Sequence, residues 1–263
     1  MLSVPDNPRI LLTNDDGIDA RGLRVLHEIA TSLSDDVWTC APAFEMSGTS
    51  HSISLHRPLR LVELDEKTSS VDGTPSDCVL VACRQWIPRK MGDRGPDLVL
   101  SGVNRGVNIC EDVTYSGTIG AAMEAVLLGV PAIALSLELR NTPPCWQTPL
   151  AFAPDLLRRL LEVYTWHRSN LLSINFPGVP PDKIKGTSIE RQGLRPQEDE
   201  LIERKDPRGR PYLWISGRRE TKAHVPEGSD AYHLAQDRIV VTPMAMDLTD
   251  EAALTKLQEH FWT

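Results

Sequence analysis

Ile10-Leu11-Leu12-Thr13-Asn14-Asp15-Asp16-Gly17 is the stretch on which the reading of this chain turns. Three successive aliphatic residues predict a short strand buried on both faces, and the Asp-Gly that follows predicts a turn. Asp15 and Asp16 then stand just outside the strand's carboxyl end, where open α/β sheets bind ligands. Two like charges side by side repel each other, so a cation or a shared proton is the usual reason to keep them together. The competing reading is an Asx turn whose acidic residues cap the next helix.

Outward from this turn the chain alternates between two periodicities. Leu23, Leu26, Ile29, Ala30 and Leu33 recur at helical spacing, and Val37 to Cys40 reads as a second strand. Asp97 to Ser101 reads as a later buried strand. A helix from about Ile119 to Leu128 follows, closed by Gly129 and Pro131, and Ile133 to Leu135 is the next strand. A helix around Ala153 to Tyr164 and a strand at Leu171 to Ile174 continue the series. Such alternation predicts a mostly parallel sheet with helices on both faces. After Pro177 the chain turns rich in Gly, Pro and charge, with strand signals at Tyr212 to Ile215 and Arg238 to Thr242 and a terminal helix at Glu251 to Gln258. The expected organisation is a core over residues 1–177 and an extended, hairpin-rich arm over 178–263, whose final strand and helix return to the core.

Bulk composition excludes several classes. The 263 residues are 41% hydrophobic and 24% charged, enough for one large α/β domain without staples. A net charge of −8 argues against general attraction to a nucleic-acid duplex or an anionic membrane. The five cysteines, Cys40, Cys78, Cys83, Cys110 and Cys145, are odd in number and form no C-x-x-C pair, which predicts a reducing, cytoplasmic setting. The N-terminus carries no signal-peptide pattern. Ile119 to Leu137 is apolar, but Glu124, Gly129 and Pro131 make it helix, stop and strand rather than a membrane span.

Three predicted parallel strands end in groups able to bind a hard cation. The first delivers Asp15 and Asp16, the second runs into a loop with Ser47, and the strand at Asp97–Ser101 runs into Gly102-Val103-Asn104-Arg105. Carboxylates, a hydroxyl and an amide oxygen form an all-oxygen set suited to Mg²⁺, Mn²⁺ or Ca²⁺ rather than zinc or copper. Tyr115-Ser116-Gly117-Thr118-Ile119-Gly120 immediately precedes a helix, and small residues there let backbone N–H groups approach a phosphate. Ordinary N-capping by Ser116 or Thr118 explains the same string. No P-loop and no G-x-G-x-x-G occurs. A metal beside a phosphate cradle points to phosphoryl transfer or hydrolysis.

These strings resemble the SurE family of metal-dependent 5′-nucleotidases. The resemblance is carried by Ile10 through Ile18, by Ala41-Pro42 through His51, by Gly73-Thr74-Pro75-Ser76-Asp77-Cys78-Val79 and by Pro96 through Gly106. Tyr115 through Ala122, Ile174-Asn175-Phe176-Pro177, Asp206 through Pro211 and Thr242-Pro243 extend it over nearly the whole chain. It implies a Rossmann-like α/β core and one divalent cation per subunit, Mg²⁺ or Mn²⁺, held by Asp15, Asp16, Ser47 and Asn104. It further implies hydrolysis of nucleoside 5′-monophosphates, in a homodimer or homotetramer with exchanged C-terminal arms. Two strings depart from the family's habit: Asp19-Ala20-Arg21-Gly22 replaces a His-x-Pro-Gly-like stretch, and Glu45-Met46-Ser47-Gly48 replaces an Arg-Ser-Gly-like one.

Within that reading Asp15 and Asp16 are the catalytic carboxylates, and Asn108, Ser116, Gly117 and Thr118 are the expected phosphate binders. Arg105 is either a phosphate neutraliser or a solvated side chain, and His51 is a general-acid candidate. The nucleophile is a metal-activated water or one of the two aspartates. Two other functions fit the same residues: a broader phosphomonoesterase or exopolyphosphatase, and a nucleotide-binding regulatory module without turnover.

Overall fold

The computed structural model describes residues 2–194, 201–215 and 226–261. Its strands are β1 (Ile10–Thr13), β2 (Val37–Pro42), β3 (Leu61–Glu63), β4 (Thr68–Val71), β5 (Leu98–Arg105), β6 (Ala132–Leu137), β7 (Asn170–Phe176), β8 (Thr187–Ile189), β9 (Leu201–Lys205), β10 (Pro211–Ile215) and β11 (Ile239–Ala245). Its α-helices are α1 (Arg21–Thr31), α2 (Pro75–Val81), α3 (Ile87–Met91), α4 (Gly117–Leu127), α5 (Gln147–Val163), α6 (Asp230–Leu234) and α7 (Glu251–Phe261). Nine strands form one sheet in the order β3-β4-β2-β1-β5-β6-β7-β11-β8, and β9 pairs with β10 in a separate antiparallel hairpin. From β4 to β7 all neighbours are parallel. β3 on β4 and β11 on β7 are antiparallel, so the sheet is mixed at its margins.

Alternation along the strands splits the core in two. Ile10 and Leu12 of β1 join α1 and α5 on one face, through Leu26, Ile29, Leu157 and Leu160. Leu11 points to the other face, with Trp38, Val79, Ile119 and Ala122 beneath α2 and α4. Side chains two apart share a face, so the run Ile-Leu-Leu supplies both layers at once. The chain winds from β1 outward to β2 and β4, then returns to the other side of β1 as β5 and continues to β6 and β7. The reversal falls between β1 and β5, and a crevice opens there at the carboxyl ends of the strands.

Several expectations need correction. β5 does not stop at Ser101. It runs on to Arg105, with a register shift against β6 between Ser101 and Asn104, so Asn104 and Arg105 sit on the strand itself. α5 begins at Gln147, well ahead of Ala153, and carries Pro154 inside it. β3, β4 and α2 were not expected. α2 opens with a capping box: Thr74 Oγ1 accepts from the Asp77 N–H, and the Asp77 carboxylate accepts from the Thr74 N–H.

The C-terminal third is divided between the main sheet and the separate hairpin. β8 and β11 lie in the main sheet. α7, expected to come back onto the core, has no buried residue. The parts of the expected arm at 195–200 and 216–225 lie outside the described residues. Among the described residues no helix is long and apolar enough to cross a membrane.

Candidate active site

The turn after β1 places Asp15 and Asp16 at the switch point, and the neighbouring elements complete a shallow cavity of about 290 Å³. Ser47 reaches it from the loop after β2, Asn104 and Arg105 from the end of β5, and Ser116 from the start of α4. Asn108 lines it as well. Of the residues singled out in the sequence, these seven come together. Glu45, Asp112 and Tyr115 line the same cavity and were not anticipated. Glu45 stands two residues before Ser47 in the same loop, so the strand-end argument had the signal for it.

Each carboxylate is held differently. Asp15 is only 4% exposed. Its Oδ1 accepts from the Thr118 hydroxyl at 2.7 Å and its Oδ2 from the Thr118 N–H at 3.2 Å. Burial raises its pKa to about 6 against these hydrogen bonds, and the neighbouring charge of Asp16 raises it further. Asp16 is less buried and accepts from the Arg105 N–H at 3.2 Å. Burial raises its pKa too, opposed by that hydrogen bond, with Glu45 adding repulsion.

The Asn104 amide nitrogen donates to the Gly106 carbonyl at 3.0 Å, which leaves the amide oxygen as the group's spare acceptor. The Ser47 hydroxyl donates to Glu45 at 3.0 Å and keeps its lone pairs. The donor set of two carboxylates, a hydroxyl and an amide oxygen thus converges on one cavity, and its carboxylates are partly desolvated with little positive charge to offset them. This fits a hard divalent cation. Among the described residues no group of three or more His, Cys, Asp or Glu is arranged to hold a metal ion by itself, although Glu45 and Asp112 share this cavity with Asp15 and Asp16.

Three of the four expected phosphate binders, Asn108, Ser116 and Thr118, make hydrogen bonds within the chain. Ser116 is the N-cap of α4, its Oγ accepting from the Ile119 N–H at 3.1 Å. The Thr118 hydroxyl is committed to Asp15. Asn108 is buried, donating from its amide to Ser136 Oγ at 2.8 Å, while its backbone exchanges two hydrogen bonds with the Asn175 side chain. Gly117 begins the helix, and a Cβ there would meet the Asp15 Cβ at 3.0 Å, so glycine lets the helix start against the carboxylate. His51 does not line the acidic cavity. Its Nε2 lies 2.8 Å from Glu124 Oε2 on α4, and it borders a neighbouring cavity.

A doubly wound α/β sheet with an acidic, all-oxygen cavity at its switch point, beside a helix N-terminus, defines a class of phosphate-handling enzymes. The family described as Survival protein SurE matches residues 10–199. Among similar curated proteins, the 5′-nucleotidase SurE of Rhodopseudomonas palustris strain BisA53 is 47% identical over 248 residues, covering 92% of this chain and 95% of that one. The protein of the same name from Paramagnetospirillum magneticum is 46% identical over 258 residues, covering 98% and 97%. The crystal structure of the SurE protein from Aquifex aeolicus superposes with a TM-score of 0.79 at 34% identity, covering 95% of this chain and 98% of that one. The chain belongs to the SurE family.

Proposed function

We propose that this chain is a divalent-metal-dependent phosphatase that hydrolyses nucleoside 5′-monophosphates to nucleoside and phosphate. The observation that carries the reading is the meeting of Asp15, Asp16, Ser47 and Asn104 with the N-terminus of α4 at one switch-point cavity. Relatives named 5′-nucleotidase SurE over nearly the full length support the substrate class.

In this reading Asp15, Asp16, Ser47 and Asn104 hold Mg²⁺ or Mn²⁺. Such an ion, when bound, polarises the phosphoryl group and acidifies water at neutral pH. The chain's own residues do the rest. The Thr118 and Ile119 N–H groups of α4 are held by Asp15 and Ser116, so the helix end favours an incoming phosphate chiefly through its dipole. Thr118 fixes Asp15 through two hydrogen bonds, so the carboxylate is oriented before any ligand arrives. The Arg105 N–H does the same for Asp16. Arg105, exposed at the cavity rim, supplies positive charge to an incoming phosphate.

The five free cysteines support a reducing, cytoplasmic setting. The apolar residues of the β9–β10 hairpin, left exposed by their own chain, support docking onto a second copy.

The test is phosphate release from nucleoside 5′- and 3′-monophosphates, polyphosphate and a generic phosphomonoester, with EDTA and then with metal restored. Metal-restored release that prefers 5′-monophosphates is the expected outcome. Preference for polyphosphate would favour the broader phosphatase, and nucleotide binding without release would favour a regulatory module. In Asp16→Asn, release should fall roughly 100-fold or more, because the site loses a charged ligand. The metal-free variant should melt no lower than wild type, because a carboxylate that burial penalises has been removed. A lower melting temperature with retained activity would contradict both statements.

A further inference from the structure

Glu45 lines the acidic cavity, yet it belongs neither to the expected metal ligands nor to the expected phosphate binders. Its place is fixed by the acidic turn. The Met46 N–H donates to the Asp15 carbonyl at 2.7 Å, and the Ile18 N–H donates to the Pro42 carbonyl at 2.8 Å. Gly17, at φ +98°, lies so close to the loop after β2 that a Cβ there would meet the Phe44 carbonyl carbon at 3.3 Å and the Glu45 nitrogen at 3.5 Å. Further along the loop, the Ser50 N–H donates to the Tyr115 carbonyl at 3.0 Å and the Ser50 hydroxyl to the Thr114 carbonyl at 2.7 Å. Glu45 and Ser47 therefore stand on backbone tied at both ends to other parts of the site.

We propose that Glu45 is a positioning residue for the metal: it takes the Ser47 proton and so leaves only the lone pairs of that hydroxyl for the cation. The inference rests on the metal-dependent reading above and adds to it a residue outside the four ligands. The anchored backbone is the first observation behind it. The second is the hydrogen bond itself. The Ser47 hydroxyl donates to Glu45 Oε1 at 3.0 Å, and both side chains line the cavity with Asp15, Asp16 and Asn104. A serine hydroxyl has one proton and two lone pairs, so an acceptor for the proton leaves only acceptor positions elsewhere. An ionised acceptor makes such a bond roughly twice as strong as a neutral one. Partners of this kind orient the groups that touch a metal and raise their basicity.

The third observation is charge. Residues 43–50 include no lysine or arginine, so nothing within the loop neutralises Glu45. Glu45 also lies close enough to Asp16 for the two charges to repel. A carboxylate that only repels its neighbour in the metal-free chain finds its use when a dication shares the cavity. The Ser47 O–H, polarised by a cation on its oxygen, donates more strongly to Glu45, so the two interactions support each other.

The experiment titrates the full chain with Mn²⁺ alone and follows free Mn²⁺ by its electron paramagnetic resonance signal, so the readout is affinity rather than turnover. Glu45→Ala should raise the Kd for Mn²⁺ roughly tenfold. Glu45→Gln keeps an acceptor for the Ser47 proton and should recover part of that loss. Ser47→Ala should weaken binding as well. In the double variant Glu45→Ala with Ser47→Ala the two losses should not multiply, because the first acts through the second. Both residues are exposed on a loop, so the metal-free variants should melt as wild type does. An unchanged Kd in Glu45→Ala would overturn the proposal and leave the phosphatase reading standing. So would Glu45→Gln as weak as Glu45→Ala, or losses that multiply, since either would assign the effect to charge alone. Wild type that takes up no Mn²⁺ would overturn the metal-dependent reading and this inference with it.

Discussion

Asp36 shows how one carboxylate can serve stability where another serves a site. Its oxygens accept from Lys67 Nζ at 3.0 Å, from Trp38 Nε1 at 2.8 Å and from Arg9 Nε at 2.7 Å. Burial works to raise its pKa, but these donors together outweigh it and hold the carboxyl below its ordinary value of 3.8. A group whose pKa is depressed on folding contributes stability above the unfolded value and loses it as pH falls through the folded one. Asp36→Asn is therefore expected to cost on the order of 2 kcal/mol at neutral pH, since Arg9, only 4% exposed, loses its partner. Urea melts of variant and wild type should converge as the pH is taken below 3.8, and a difference that persists to low pH would contradict this origin. Asp15 and Asp16 behave oppositely, because they are buried among too few donors. That contrast was not readable in the sequence, where all three are aspartates following or preceding a strand.

Among the elements, α4 packs directly on the backbone of the loop after β2. A Cβ on Gly120 would come within 2.4 Å of the Ser50 carbonyl oxygen and 2.9 Å of the His51 Cα. Helix propensity alone favours alanine over glycine by about 1 kcal/mol. The clash is with backbone, and overpacking of this kind costs typically 1–3 kcal/mol. The clash should win: Gly120→Ala is expected to destabilise by about 1–2 kcal/mol in chemical denaturation and to lower phosphate release by displacing the loop that carries Ser47. A stabilised variant would mean that the loop yields freely. The same scale explains what the residue pattern concealed. β4 reads Thr-Ser-Ser-Val, which looks like a loop, yet Ser69 is fully buried beside β2. Its neighbours in the sheet, not its own side chains, make it a strand. Conversely, the helical spacing of α1 and the Gly129-x-Pro131 stop after α4 were legible, because periodicity and chain-breaking residues act locally.

For the whole molecule, the β9–β10 hairpin sets the main question. Trp214 is 60% exposed and Ile215 74%, and Leu201 and Leu213 are similarly bare. A two-stranded hairpin is marginally stable in water without a surface to pack on. A second copy of the chain is the expected surface. Trp214→Ser combined with Leu213→Ser should therefore shift the sedimentation coefficient toward that of a 29.2 kDa monomer. An unchanged oligomer would remove the hairpin from the interface. The C-terminal segment is also tied back into its own chain. Buried Asp230 accepts from the Cys110 N–H and the Gly193 N–H, both at 2.9 Å, and so joins α6 to the loop that leads into Ser116.

By itself the sequence determined the order of strands and helices through most of the first two-thirds and the cluster of oxygen-bearing side chains at the strand ends. Both follow from local rules: apolar periodicity chooses the element, and a polar turn after a buried strand must emerge at the sheet's edge. Only the tertiary structure decided which ends meet. Strand order brought β5 beside β1, so Asn104 lies across from Asp16, and it drew Glu45 and Tyr115 into the same cavity. It also set β8 beside β11 in the main sheet and Met244 and Met246 opposite α4. Those contacts join residues far apart in the chain, and no local pattern encodes them. They arise because burying both faces of one sheet leaves few ways to arrange its strands.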